Sequence, residues 1–304
     1  MNFYKLFFIP FLIIVLLVSP LSGFCAAEDK PYSVPSLPQK APDIRANAVL
    51  LVNNTKNAVL YEKNSGEKIY PASTTKIITA SIIISAVESG RYSLDTSFAA
   101  DGGIYYNTDY DSATEHIQPG EIMTVRDYLY CTLLSSANEA CNALAVFNSG
   151  SVENFVSEMN SLASSLGCTG THFTNTNGLP DADHYTTAYD LYLIFRHALK
   201  SELFSEISSS VEYTVPETNL TPARRLVNSN MLINPSTEYY YRFAVLGKTG
   251  TTDLAGSCLV SLAEKNGNEL ICILMGAKTV RYSSGYKYIE SFPESLRLFE
   301  YGFS

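Results

Sequence analysis

The stretch from Pro71 to Val87, PASTTKIITASIIISAV, is apolar or small almost throughout and reads as a helix of the core. One residue resists that reading. Lys76 stands three positions after Ser73, and a lysine is almost never fully buried without a partner. Either Lys76 turns to water or it has a task beside Ser73. The 304 residues are 46% hydrophobic and 17% charged, enough for one large domain or two small ones with a substantial core.

The segments around this helix suggest their own layout. NAVLLVNNTKNAVLYEKN, ahead of it, reads as two strands around an Asn-rich turn. The middle of the chain is helical. VRDYLYCTLLSSANEACNALAVFNSG has helical spacing interrupted at Ser135–Asn138, and VENFVSEMNSLASSLG and TAYDLYLIFRHALKS are amphipathic. After Glu202 strands return, in VEYTVPE, YRFAVLGKTGTTD, GSCLVSLAE and ELICILMGAK, and a last amphipathic helix is predicted over about Tyr286 to Tyr301. This order predicts one α/β domain with a single sheet that also receives the N-terminal hairpin.

Ahead of the domain, Lys5, the apolar run Leu6–Val18 and the small residues before Cys25-Ala26-Ala27 have the order of a secretory signal, expected over 1–27. A proline-rich linker over 28–44 follows, and the folded domain is expected over 45–304. The chain is therefore expected to be exported, with any membrane association through the N-terminal segment only. A net charge of −9 argues against a nucleic-acid partner, which calls for a basic footprint. Five cysteines remain after cleavage, Cys131, Cys141, Cys168, Cys258 and Cys272; their irregular spacing is not a disulfide framework, and they read as small buried hydrophobes. His116, His172 and His197 have no metal-ligand spacing, His184 reads as structural, and no metal or cofactor is expected.

Three short motifs carry the chemistry. Ser-x-x-Lys occurs three times, at Ser65/Lys68, Ser73/Lys76 and Ser284/Lys287, but only Ser73/Lys76 opens an apolar helix. There, positions three apart share a face, and Lys76 reaches the Ser73 hydroxyl. A serine hydroxyl needs an adjacent base, and lysine is one only if burial or a nearby cation lowers its pKa. Ser136-Ala137-Asn138, the one Ser-x-Asn, breaks a helical stretch and offers polar side chains to a cleft. Lys248-Thr249-Gly250 lies in a strand and supplies a second cation, a hydroxyl and a glycine that leaves room for a substrate backbone.

Together with their flanks (YPASTTKIITA, LLSSANEACNALA, FVSEMNSLASSLGCTGTHFTNTNGL, HYTTAYDL and GKTGTTDLAGSCLV), these motifs make the chain resemble the serine-type D-alanyl-D-alanine carboxypeptidases, the low-molecular-mass penicillin-binding proteins, from about Arg45 to Phe303. The resemblance implies a β-lactamase/transpeptidase-like fold: a mostly antiparallel sheet flanked by helices, with a helical lobe and a cleft between. It implies removal of the terminal D-alanine from peptidoglycan stem peptides through an acyl-serine, with β-lactams as inhibitors. By the same resemblance Ser73 is the nucleophile, Lys76 its base and Ser136 a proton relay. Asn138, Lys248, Thr249, Gly250, Thr251 and Arg281 are the substrate-binding residues, with the Ser73 and Thr251 amides forming the oxyanion hole. Other members continue into a β-rich second domain and a C-terminal anchor; this chain stops at LRLFEYGFS, so neither is expected here.

Three other readings compete. A DD-endopeptidase would use the same machinery on cross-links, and the polar stretch Asp101–Glu121 is a candidate for tuning that choice. A class A β-lactamase needs a glutamate after the Ser-x-Asn motif. NTNGLPDADHY has none, and Glu217 in PETNL lies too far along the chain. A non-catalytic binder would not need Ser73, Lys76, Ser136 and Lys248 intact.

Overall fold

The structure, a computed structural model, describes residues 32–33, 40–108, 112–281, 283 and 287–304. The expected signal over 1–27 and most of the linker over 28–44 lie outside the described residues.

In chain order the strands are β1 (Tyr32–Ser33), β2 (Ala48–Asn53), β3 (Ala58–Lys63), β4 (Ser97–Ala99), β5 (Ile122–Thr124), β6 (Glu212–Val215), β7 (Arg224–Val227), β8 (Ala244–Thr252), β9 (Gly256–Lys265), β10 (Asn268–Ala277), β11 (Thr279–Arg281) and β12 (Lys287–Ile289). The helices are α1 (Lys76–Glu88), α2 (Val125–Tyr130), α3 (Asn138–Ser149), α4 (Val152–Ser165), α5 (Ala188–Ala198), α6 (Glu202–Ser209) and α7 (Ser291–Gly302). The main sheet runs β1-β3-β2-β10-β9-β8. Its five long strands are antiparallel, and β1 adds a short parallel edge. The pairs β4–β5, β6–β7 and β11–β12 form separate ribbons.

β2 is buried at every position, and its alternation explains why it reads as a continuous apolar run. Ala48, Leu50 and Val52 face the helical lobe, while Val49 and Leu51 face the layer with α7. Cys272 and Leu274 of β10 share the α7 side, and Ile271, Ile273 and Met275 the other. A sheet covered on both faces has no wet side on which to place polar residues. α1 is apolar around its whole circumference because α3, α4, α5 and α6 pack around it. The five cysteines from Cys131 onward are buried and free. Among the described residues no helix is long and apolar enough to cross a membrane.

One boundary differs from the sequence reading. The last helix begins at Ser291, not near Tyr286, since Lys287–Ile289 pairs with Thr279–Arg281 as a ribbon. Pro293 lies in the first turn of α7, where its missing N–H leaves no helical bond unmade.

Candidate active site

Ser73 lies in a 3₁₀ turn, Ala72–Thr75, that runs directly into α1. Ala72, just before it, has φ 49°, an unfavourable left-handed value for a residue with a Cβ. Two glycines let other segments crowd this turn. A Cβ on Gly178 would stand 1.8 Å from the Ala72 carbonyl oxygen, and one on Gly250 would stand 2.8 Å from the Ser73 nitrogen. The space beside the Gly250 Cα is taken by the Ser73 turn itself. His184 braces the turn from behind. Its Nδ1 accepts from the Thr174 N–H at 3.1 Å, so its Nε2 carries the proton and donates to Thr75 Oγ1 at 2.9 Å. Burial lowers its pKa to about 4, which keeps the ring neutral and fits a structural role.

Lys76 is 0% exposed, so it does not turn to water. Its Nζ lies 3.0 Å from Ser73 Oγ, 2.7 Å from Asn138 Oδ1 and 2.7 Å from the Asn177 carbonyl oxygen. Desolvation lowers its pKa to about 8, against weaker opposing effects of Cys141 and Glu139. The partners decide what the neutral amine does. Asn138 Oδ1 and the Asn177 carbonyl only accept, so both remaining N–H bonds go to them. The lone pair is left facing Ser73 Oγ, poised to accept its proton.

Asn138 and Ser136 are delivered by a break in the helical stretch. After α2 the chain makes a π-turn, Cys131–Ser135, and Ser136 takes a left-handed conformation with φ 68°. Such a residue costs about 1–3 kcal/mol and persists only where its surroundings enforce it. Ser136 is buried, yet its Oγ has no hydrogen-bond partner among the described residues. Asn138 opens α3, and its N–H donates to the Ala113 carbonyl at 2.9 Å. The Asp101–Glu121 stretch thus abuts the motif; residues 109–111 within it lie outside the described residues.

β8 forms the opposite wall. Lys248 is 1% exposed, and its Nζ donates to the Thr249 carbonyl at 3.0 Å. Burial, then repulsion by Lys76, pushes its pKa well below the usual lysine range. Thr249 Oγ1 shares a 2.6 Å hydrogen bond with Ser229 Oγ, and Thr251 is exposed further along the strand. The backbone of Arg281 pairs with Lys287 in the β11–β12 ribbon, and its side chain lies outside the described residues. The β-lactamase requirement is not met by Glu217, which is exposed in the loop between β6 and β7.

Ser73, Lys76 and Asn138 are thus joined by hydrogen bonds, and Gly250 brings β8 against them. Two participants had no signature in the sequence, the Asn177 carbonyl and the Ser229 hydroxyl. A hollow of about 580 Å³ lined by Ser81, Ser85, Arg91 and Glu158 contains none of the motif residues. Among the described residues no three His, Cys, Asp or Glu side chains gather as a metal site would.

A family model described as D-alanyl-D-alanine carboxypeptidase matches residues 36–279. The D-alanyl-D-alanine carboxypeptidase DacF of Bacillus subtilis is 34% identical over 77% of this chain, and DacC of Escherichia coli is 32% identical over 87%. The chain spans only 58% and 62% of those two relatives' own lengths. Among solved structures, the Streptomyces K15 DD-transpeptidase superimposes with a TM-score of 0.77 at 26% identity, over 87% of this chain and 99% of that one. A D-alanyl-D-alanine carboxypeptidase from Mycobacterium tuberculosis gives 0.72 at 28% identity, over 89% and 94%.

Proposed function

Because the chain belongs to the D-alanyl-D-alanine carboxypeptidase family, we propose that it removes the terminal D-alanine from peptidoglycan stem peptides by way of an acyl-serine. The observation that carries this reading is the setting of Lys76. It is buried, its pKa is lowered to about 8, and its neutral amine can direct a lone pair only at Ser73 Oγ.

In this reading Lys76 takes the Ser73 proton as Oγ attacks the carbonyl carbon of the penultimate residue. The Ser73 and Thr251 amides receive the oxyanion, an interaction worth about 10²–10³ in rate for one donor. Ser136, whose hydroxyl is uncommitted, passes a proton to the departing amine. Asn138 orients Lys76 and binds the substrate amide, and Lys248 and Thr249 hold the terminal carboxylate, with Arg281 beside them. Water then attacks the ester and frees Ser73. Penicillins enter by the same attack and leave slowly.

Residues 45–304 serve as the catalytic domain, with the family match over 36–279 covering most of it. The N-terminal signal exports the protein to the extracytoplasmic face of the envelope. The test is release of D-alanine from a stem pentapeptide. Wild type should release it and Ser73→Ala should not; equal release by both rejects the reading.

A further inference from the structure

Glu139 directly follows Asn138 and is 1% exposed, in the first turn of α3. One carboxylate oxygen accepts from Thr114 Oγ1 at 2.8 Å, from the Glu115 N–H at 2.7 Å and from the Ile117 N–H at 3.5 Å. With the Asn138–Ala113 backbone bond, these contacts lash residues 113–117 onto the Ser136–Asn138 turn. Glu115 extends the tie, since its carbonyl accepts from Arg224 Nη1 at 3.0 Å. Neither Lys76 nor Lys248 makes an ion pair among the described residues. Glu139 adjoins Asn138, whose Oδ1 accepts from Lys76 Nζ at 2.7 Å, and its charge acts to hold the Lys76 pKa up.

We propose that Glu139 is a positioning residue for the reaction, fixing the 113–117 segment against Ser136 and Asn138 and supplying the buried negative charge that balances Lys76. This deepens the proposed function and rests on its assignment of Ser73 as nucleophile and Lys76 as base. The charged and titratable groups coupled electrostatically to Lys76 are Glu139 and Cys141 from α3, Lys248 from β8 and His184 from the loop before α5. Burial raises the Cys141 thiol and lowers His184, so both are neutral near pH 7. A nearby negative charge favours the ammonium form and holds the pKa of Lys76 up; removing it lets that pKa fall. The base works only when unprotonated, so the acid limb of the rate profile should follow.

The test is the rate of acylation by a fluorescent penicillin between pH 5.5 and 9.5, for wild type, Glu139→Gln and Glu139→Asp. In Glu139→Gln the acid limb should move about half a pH unit lower, so that at pH 6.5 the variant keeps roughly threefold more of its own plateau rate than wild type does. Glu139→Asp, which retains the charge, should leave the limb near the wild-type position. An unmoved limb in a folded Glu139→Gln overturns the inference, because a merely structural residue would change the plateau alone. Thr114→Val tests the tie without touching the charge: a lowered plateau with the limb in place supports it, and an unchanged profile refutes it. If wild-type protein itself is not acylated at any pH, the proposed function fails instead.

Discussion

The two walls of the cleft each bury a lysine, and they satisfy it differently. Lys76 finds an acceptor for each of its three ammonium hydrogens, in Ser73, Asn138 and the Asn177 carbonyl. Among the described residues Lys248 finds one, the Thr249 carbonyl. Buried polar groups are normally paired; in the proposed function the shortfall on β8 is donors held for a substrate carboxylate, and the full set on α1 is a base held in place. The nearby Ser136 hydroxyl, buried and unpartnered, belongs with β8 in this respect.

Four substitutions can break or sharpen that contrast. Lys76→Met should have the largest effect, lowering penicillin acylation by roughly 10²–10⁴, the usual worth of a positioned base. A loss under tenfold would mean that another group takes the Ser73 proton. Gly250→Ala comes next. Its new methyl would stand 2.8 Å from the Ser73 nitrogen, and a displacement of about 1 Å can cost about 10²-fold in rate. The same assay, with a melting curve to confirm folding, decides it. Lys248→Met should lower kcat/KM about 10- to 100-fold for a substrate ending in a free carboxylate, the value of about 1.5–3 kcal/mol for a charge-assisted bond. The corresponding C-terminal amide should be nearly indifferent. Ser229→Ala should be smallest, at most about tenfold, because it removes one neutral hydrogen bond to Thr249. A pH series on wild type tests the left-hand member of the comparison. Since the unprotonated lysine is the active form, acylation should rise with pH through about 8.

Much of this was legible in the residues, and what was not has a common cause. The hairpin β2–β3, the buried helix α1 and the helical break at Ser136 were all written in side-chain periodicity. Ser73, Lys76 and Asn138 were written in motif spacing, and the structure brings the three together by hydrogen bonds. Asn177 was not legible because it contributes a backbone carbonyl, which every residue possesses. The packing of the Ser73 turn on Gly250 was not legible, since a close approach between distant segments leaves no local trace. Ala72 gave no hint of its left-handed backbone, because only the packing of Gly178 and Gly250 against it enforces that shape. The ribbon Lys287–Ile289 was read as helix because a three-residue strand is too short to display a period of two.

The most direct test of the central claim is the intact mass of the protein after brief exposure to a penicillin, with Ser73→Ala measured beside it. Wild type should gain the mass of one penicillin and keep it for minutes, and Ser73→Ala should gain nothing. An adduct of equal yield on both proteins, or D-alanine release that survives Ser73→Ala, would contradict an acyl-serine formed by Ser73 and Lys76.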